Sequence, residues 1–160
     1  MSYAGDTGET SAIAVPAATV RTVAFKSGTI AKLVATGALT AGRFGLFRWD
    51  MPAKVGGAGA HFHRTFSESF YVLEGIVSLF DGRAWSTANP GDYLYVPEGG
   101  IHGFRNDADA AASMLILFAP GIVRERYFEE LAEIGASGRT LSKEEWAELY
   151  ARHDQTVVED

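Results

Sequence analysis

The chain has 160 residues, 47% of them hydrophobic, with a net charge of −6 and no cysteine. That length suits one domain with a real core, and the acidic balance argues against nucleic acid or an anionic membrane as partner, since both want basic patches. The lack of cysteine excludes disulfides, thiolate metal sites and iron–sulfur clusters and fits a cytoplasmic setting. No apolar run approaches the ~18 residues of a membrane span. The first basic residue, Arg21, is too far along for the basic start of a signal peptide.

Residues 1–19 are rich in Ala, Thr, Gly and Ser and read as a flexible N-terminal arm. From Val20 onward, short apolar runs punctuated by glycine predict strands at 20–25, 29–35, 43–50, 60–64, 69–74, 76–80, 84–86, 92–96, 101–105 and 112–118. The turn signals "DGR", "NPGD" and "PEGG" separate several of them. Many short strands at this spacing predict a sandwich or barrel over residues 20–120. "SFYVL" and "SMLILF" are apolar on both parities, so both faces of those strands should be covered. No internal repeat is visible, which favours one barrel over two.

After Pro120 the pattern turns helical, giving a C-terminal helical extension over 121–160. In "RERYFEELAEIG", Tyr127, Phe128, Leu131 and Ile134 share one helix face, and Gly135 is the expected stop. Ser142 and Glu145 form a capping box for a second helix, with Leu141 placed to staple onto Trp146. Trp146, Leu149 and Tyr150 make its apolar stripe, and His153 falls at its end as a surface or capping residue. The two helices read as a cover for the barrel or a dimer contact.

Of four histidines in the chain, two stand on alternate residues, in "HFHRTFSESF". Alternation puts His61 and His63 on one side of a strand. Glu68 follows the turn-like "RTFS" and opens the next strand, from which an antiparallel neighbour can bring its carboxylate back to the imidazoles. Burying these groups without compensation costs several kcal/mol. A second cluster, "GDYLYVPEGGIHGFRN", supplies His102 after a tight turn at Pro97, Gly99 and Gly100. Imidazoles with one carboxylate form a nitrogen/oxygen site suited to a divalent transition ion: Fe, Mn, Ni, Co, Cu or Zn. The competing reading of His-x-His alone is a pair of hydrogen-bonded structural histidines.

The two stretches together resemble the two signature motifs of the cupins. His61, His63, Glu68 and Gly75 fit G-x5-H-x-H-x(3,4)-E-x6-G, except that Val55 holds the place of the opening glycine, next to Gly56, Gly57 and Gly59. Gly91, Pro97, Gly99, His102 and Asn106 fit G-x5-P-x-G-x2-H-x3-N at every fixed place. The resemblance spans roughly residues 36–120 and implies an all-β fold: a double-stranded β-helix, the cupin jelly-roll barrel, here with two C-terminal α-helices. It implies that His61, His63, Glu68 and His102 bind one metal ion in the barrel mouth, with about two coordination positions open. Asn106 is expected to tie down its turn.

Strand parity carries Phe70 and Val72 inward behind Glu68, and Phe104 behind His102, as an apolar pocket wall. Arg48 meets an anionic or phenolate substrate if its parity partners Phe44 and Leu46 face the barrel; a solvated strand end is the alternative. Three functions follow. The first is a metal-dependent dioxygenase resembling the quercetinase type, acting on a small aromatic or enolisable compound, with Glu68 as ligand and proton acceptor. The second is a non-redox isomerase or cyclase. The third is a small-molecule-binding cupin without catalysis. The expected partners are a small-molecule substrate and a second copy of the chain, since uncovered apolar sheet faces are rare on monomers.

Overall fold

The structure is a computed structural model that describes residues 2–158. Its strands are β1 (Thr22–Ala24), β2 (Ile30–Ala35), β3 (Gly45–Met51), β4 (His61–Phe62), β5 (Ser67–Glu74), β6 (Val77–Phe80), β7 (Trp85–Ala88), β8 (Tyr93–Val96), β9 (Gly103–Arg105) and β10 (Ala112–Ala119). Two helices follow, α1 (Arg124–Ser137) and α2 (Lys143–Arg152), and then a short strand, β11 (Thr156–Val157). Antiparallel pairing builds a six-stranded sheet, β1-β2-β3-β10-β5-β8, and a three-stranded sheet, β7-β6-β9, while β11 pairs with β4. This is the expected jelly-roll architecture. No helix among the described residues is long and apolar enough to cross a membrane.

Register explains the core. Phe47, Ile116, Phe70 and Leu94 stand opposite one another across β3, β10, β5 and β8, forming one apolar row on the inner face. Phe47, Ile116 and Phe70 are essentially fully buried, each contributing roughly 1.5–3 kcal/mol by leaving water. Across the barrel, Phe104 of β9 meets Trp49 and Phe70 with ring centroids 5.8 and 5.7 Å away. The next rows face outward: Leu46, Leu117, Ser69 and Tyr95, then Arg48, Leu115, Tyr71 and Tyr93.

Arg48 therefore lies on the outside. The strand starts at Gly45, and its inward parity belongs to Phe47, Trp49 and Met51, which gain more by burial than Leu46 and Arg48. Its guanidinium is held by Asp50 at 2.7 Å and lies 4.0 Å from Glu74. Tyr93 and Tyr95 share that outer face and are more than half exposed.

The helices close the barrel rather than cover the outer face. Phe128 inserts among Trp49, Phe47 and Phe118, at centroid distances of 4.8, 5.9 and 6.2 Å. Helix α1 runs through Gly135 and ends at Gly138, whose φ of +68° is the left-handed turn that glycine takes without a Cβ penalty. Gly135 is thus an interior residue, at a cost of about 1 kcal/mol relative to alanine. Helix α2 has the expected capping box: Glu145 N donates to Ser142 Oγ, and Ser142 N donates to Glu145 Oε2. The segment after α2 turns back and adds β11 to the barrel, a pairing its polar, acidic sequence does not announce.

Candidate metal centre and its cavity

Three elements bring four side chains to one point. His61 comes from β4, His63 follows it, Glu68 comes from β5, and His102 immediately precedes β9. All four are buried, and one ligand-type atom from each lies within 4.8 Å of the others. A bridge between His61 and His102, with N–H···O bonds of 3.0 and 2.9 Å in both directions, brings the two motifs together. Gly99 N donates to the His63 carbonyl at 2.7 Å and ties the Pro97–Gly100 turn to the first motif.

The hydrogen bonds define the tautomers. His61 Nδ1 faces the Gly59 carbonyl at 2.7 Å, His63 Nδ1 the Asp154 carbonyl at 2.7 Å, and His102 Nδ1 the Gly100 carbonyl at 2.9 Å. A carbonyl only accepts, so each Nδ1 carries the hydrogen and each Nε2 of a neutral ring keeps its lone pair. His63 Nε2 and His102 Nε2 then lie 3.1 and 2.7 Å from the same Glu68 oxygen, itself an acceptor. Acceptors this close need a positive charge between them: protons on the rings, or one cation shared by all. The donor set and the fixed second nitrogens fit a metal ion.

The electrostatics agree. Burial alone would push the Glu68 carboxyl up, but with protons also on the Nε2 atoms of His102 and His63, their hydrogen bonds and charges hold it below the ordinary carboxylate range. Burial, reinforced by the charge of His102, lowers His61 to about 3, so its lone pair is free at neutral pH.

Glu68 and His61 open onto a cavity of about 330 Å³, near the lower end of the ~300–1,000 Å³ range of small-molecule sites. Trp49, Phe104, Tyr127 and Phe128 give it aromatic walls, and Arg124, Trp146, Tyr150 and Gln155 come from the C-terminal extension. Gly57 lines it where a Cβ would stand 2.1 Å from the Phe104 carbonyl, so the backbone approach there admits no side chain. Of the predicted pocket residues, Phe104 lines the cavity. Phe70 and Val72 face inward as parity requires but are fully buried and do not line it; the Phe70 ring is 5.7 Å from those of His102 and Phe104. Arg48 is on the opposite face of the sheet and takes no part.

Residues 47–118 match the family model of the cupin domain. The chain carries a cupin domain. A quercetin 2,3-dioxygenase from Bacillus subtilis (strain 168) is 33% identical over 73 residues, covering 46% of this chain and 21% of that protein. The chain thus spans about a fifth of that relative's length. Among solved structures, the cupin barrel is similar to the polyketide cyclase RemF from Streptomyces resistomycificus, with a TM-score of 0.57, 22% identity and coverage of 68% of this chain and 80% of that one. An RmlC-like cupin from Shewanella frigidimarina gives a TM-score of 0.57 at 17% identity, covering 69% and 92% of the two chains. KdgF from a Halomonas species gives 0.54 at 18% identity, covering 62% and 87%. At these identities the structural likeness speaks for the fold alone.

The extension also supports the cupin site from behind. The Asp154 carboxylate accepts from Arg64 N at 3.0 Å, Thr65 N at 2.8 Å and Thr65 Oγ1 at 2.7 Å, while its carbonyl holds His63. His153 is the C-cap of α2, as one expectation had it, and is half-buried, paired with Glu130 and with its ring tilted against Tyr127 at 5.3 Å, rather than a free surface group. Asn106 donates from Nδ2 to the carbonyls of Pro52 and Ala110, at 2.7 and 2.9 Å, and its Oδ1 accepts from Ala108 N, so it does tie down its turn. Arg124 and Asp154 lie outside both motifs. The helical period alone marked the apolar face of α1, and nothing in the sequence pointed to a tail that folds back.

Proposed function

We propose that this cupin binds one divalent transition metal ion through His61, His63, Glu68 and His102 and is a dioxygenase acting on a small aromatic or enolisable compound. The observation that carries the reading is the aromatic cavity opening directly on Glu68 and His61. The bound ion supplies Lewis acidity toward an anionic substrate oxygen. The chain supplies the rest. Trp49, Phe104, Tyr127 and Phe128 exclude water and hold an apolar ring. Glu68, kept ionised by its imidazole neighbours, accepts the proton of the substrate hydroxyl or enol on Oε. In the overall reaction molecular oxygen is the oxidant and both its atoms enter product.

The test is oxygen uptake with a panel of phenolic and enolisable substrates, with metal content measured on the same protein. Stoichiometric oxygen consumption supports the reading. Equal turnover of a confirmed substrate under strict anaerobiosis refutes the oxygenase and leaves an isomerase or cyclase. Tight binding with no turnover of any compound leaves a binding module.

We also place this cupin in the cytoplasm as a homodimer, formed through the outer face of the six-stranded sheet. There Tyr71, Tyr93 and Tyr95 are 44%, 61% and 55% exposed beside Leu46, Leu115 and Leu117. The helices close the opposite side, so nothing within the described chain covers this face.

A further inference from the structure

Arg124, the first residue of α1, is only 3% exposed. Its Nη1 donates to the His153 carbonyl at 2.8 Å and its Nη2 to Gln155 Oε1 at 2.6 Å. The guanidinium carbon lies 4.1 Å from the Tyr127 ring centroid and 5.4 Å from those of Phe66 and Phe128. Its Nε is buried and has no hydrogen-bond partner. Among the described residues no carboxylate oxygen stands within ion-pair distance of it. A buried guanidinium is expected to be paired, because removing the charge from water costs several kcal/mol. Carbonyls and ring faces offset part of that cost, but no full negative charge is in contact. Arg124 also lines the cavity onto which Glu68 and His61 open.

The charge count of the cavity points the same way. Glu68 is the one carboxylate among the residues lining it, and Arg124 the one guanidinium. A divalent ion on the three imidazoles would engage Glu68 and leave the cavity positive overall. An anionic ligand restores the balance, and a charged hydrogen bond to guanidinium is among the stronger contacts available. The walls beside Arg124 are rings, so the body of the ligand is apolar and flat.

We propose that Arg124 is the anion-recognition residue of the cavity, and that its ligand is a small aromatic carboxylate. The ring lies among Trp49, Tyr127 and Phe128, and the carboxylate faces the Arg124 guanidinium. This deepens the reading above and rests on it, since it takes the same cavity as the substrate site. The residue that sets substrate charge then comes from the C-terminal extension, outside the matched cupin segment of 47–118.

The test compares benzoate with benzamide, a neutral molecule of nearly the same shape, by calorimetry on the purified protein with metal content recorded. The wild type is expected to bind benzoate at least tenfold more tightly. In Arg124→Gln the ratio of benzoate to benzamide affinity should shrink to within about twofold, read as a ratio so that any common loss of cavity shape or metal cancels. A carboxylate that gains its affinity from the metal alone would keep its preference in the variant, and that result overturns the inference. So does equal binding of both probes by the wild type, while leaving the cavity as a small-molecule site. Binding of neither probe at millimolar concentration rejects the inference and counts against the site itself. Arg124 also anchors the tail, so a second measurement needs no variant: the ¹⁵N resonance of Arg124 Nε should shift on saturation of the wild-type protein with benzoate, and an unmoved resonance at saturation rejects the contact.

Discussion

Asp154→Ala separates the metal ligands from what holds them. Asp154 sits at φ +50°, a left-handed conformation that Asp tolerates better than Ala. Replacing it with alanine costs roughly 1 kcal/mol in backbone preference. It also removes three hydrogen bonds, from Arg64 N, Thr65 N and Thr65 Oγ1, each worth about 0.5–1.5 kcal/mol net. The site is partly exposed, so the lower half of that range applies, and with the backbone term the tail around 153–157 should lose about 2.5–4 kcal/mol of local stability. Its carbonyl is what orients His63 through Nδ1 at 2.7 Å. Loss of such a support typically weakens metal binding by ~10–100-fold. Chelator competition measures the affinity, and hydrogen exchange at 153–157 reports the tail. Asp154→Asn keeps an acceptor oxygen and tolerates the left-handed turn, so it should fall between wild type and alanine. If exchange at the tail rises sharply while metal affinity stays within twofold, the tail does not position His63 and the reasoning fails.

Three further outcomes are expected. His61→Ala or His102→Ala should each weaken divalent-metal binding more than Asp154→Ala does, and stoichiometric metal in a variant lacking all four ligands would refute the site. The metal-free protein should lose stability as pH falls. Burial and the neighbouring His102 charge lower His61 from 6.5 to about 3, so the unfolded chain binds the extra proton throughout that window; at pH 5 this one group costs about 2 kcal/mol, read as a fall in urea midpoint, and a midpoint flat from pH 7 to 5 contradicts it. Light scattering at micromolar concentration should give twice the chain mass, and Leu117→Glu on the outer face should halve it without changing metal content.

How much of this was legible beforehand depends on periodicity. The ten predicted runs each overlap an observed strand because alternation and glycine punctuation are local signals, and the cluster of three histidines and Glu68 was legible because two motifs fix its spacing. The misreadings and open choices have a common physical origin. For Arg48 parity left two places open, a pocket role if Phe44 and Leu46 face the barrel or a solvated strand end, and the second holds because Phe44 precedes the strand and Phe47, Trp49 and Met51 take the inward face. Gly135 and Gly138 are equally good helix stops by residue type. The choice between them is made by where the chain must turn left-handed, which is a tertiary matter. The tail after α2 carries no strand signal at all; β11 exists because His61 and Phe62 offer an unpaired edge.

The division of labour in the site follows from that contrast. The four ligand-type residues come from strands or turns of the barrel, whose spacing is general to cupins and says little about substrate. The groups that give this cavity its particular shape and charge come mainly from the extension: Tyr127 and Phe128 as wall, Arg124 as cation, Trp146 and Tyr150 beyond them. The same extension closes the barrel by inserting Phe128 against Trp49, and it supports the ligand cluster by placing the Asp154 carbonyl on His63. A change in α1 or in the 153–157 tail therefore reaches the cavity and the ligand geometry together. Binding of an anionic ring beside Arg124 would in turn tighten the contacts to His153 and Gln155 that anchor this tail. Metal affinity and ligand affinity are linked through one segment, so each should strengthen the other by the same factor.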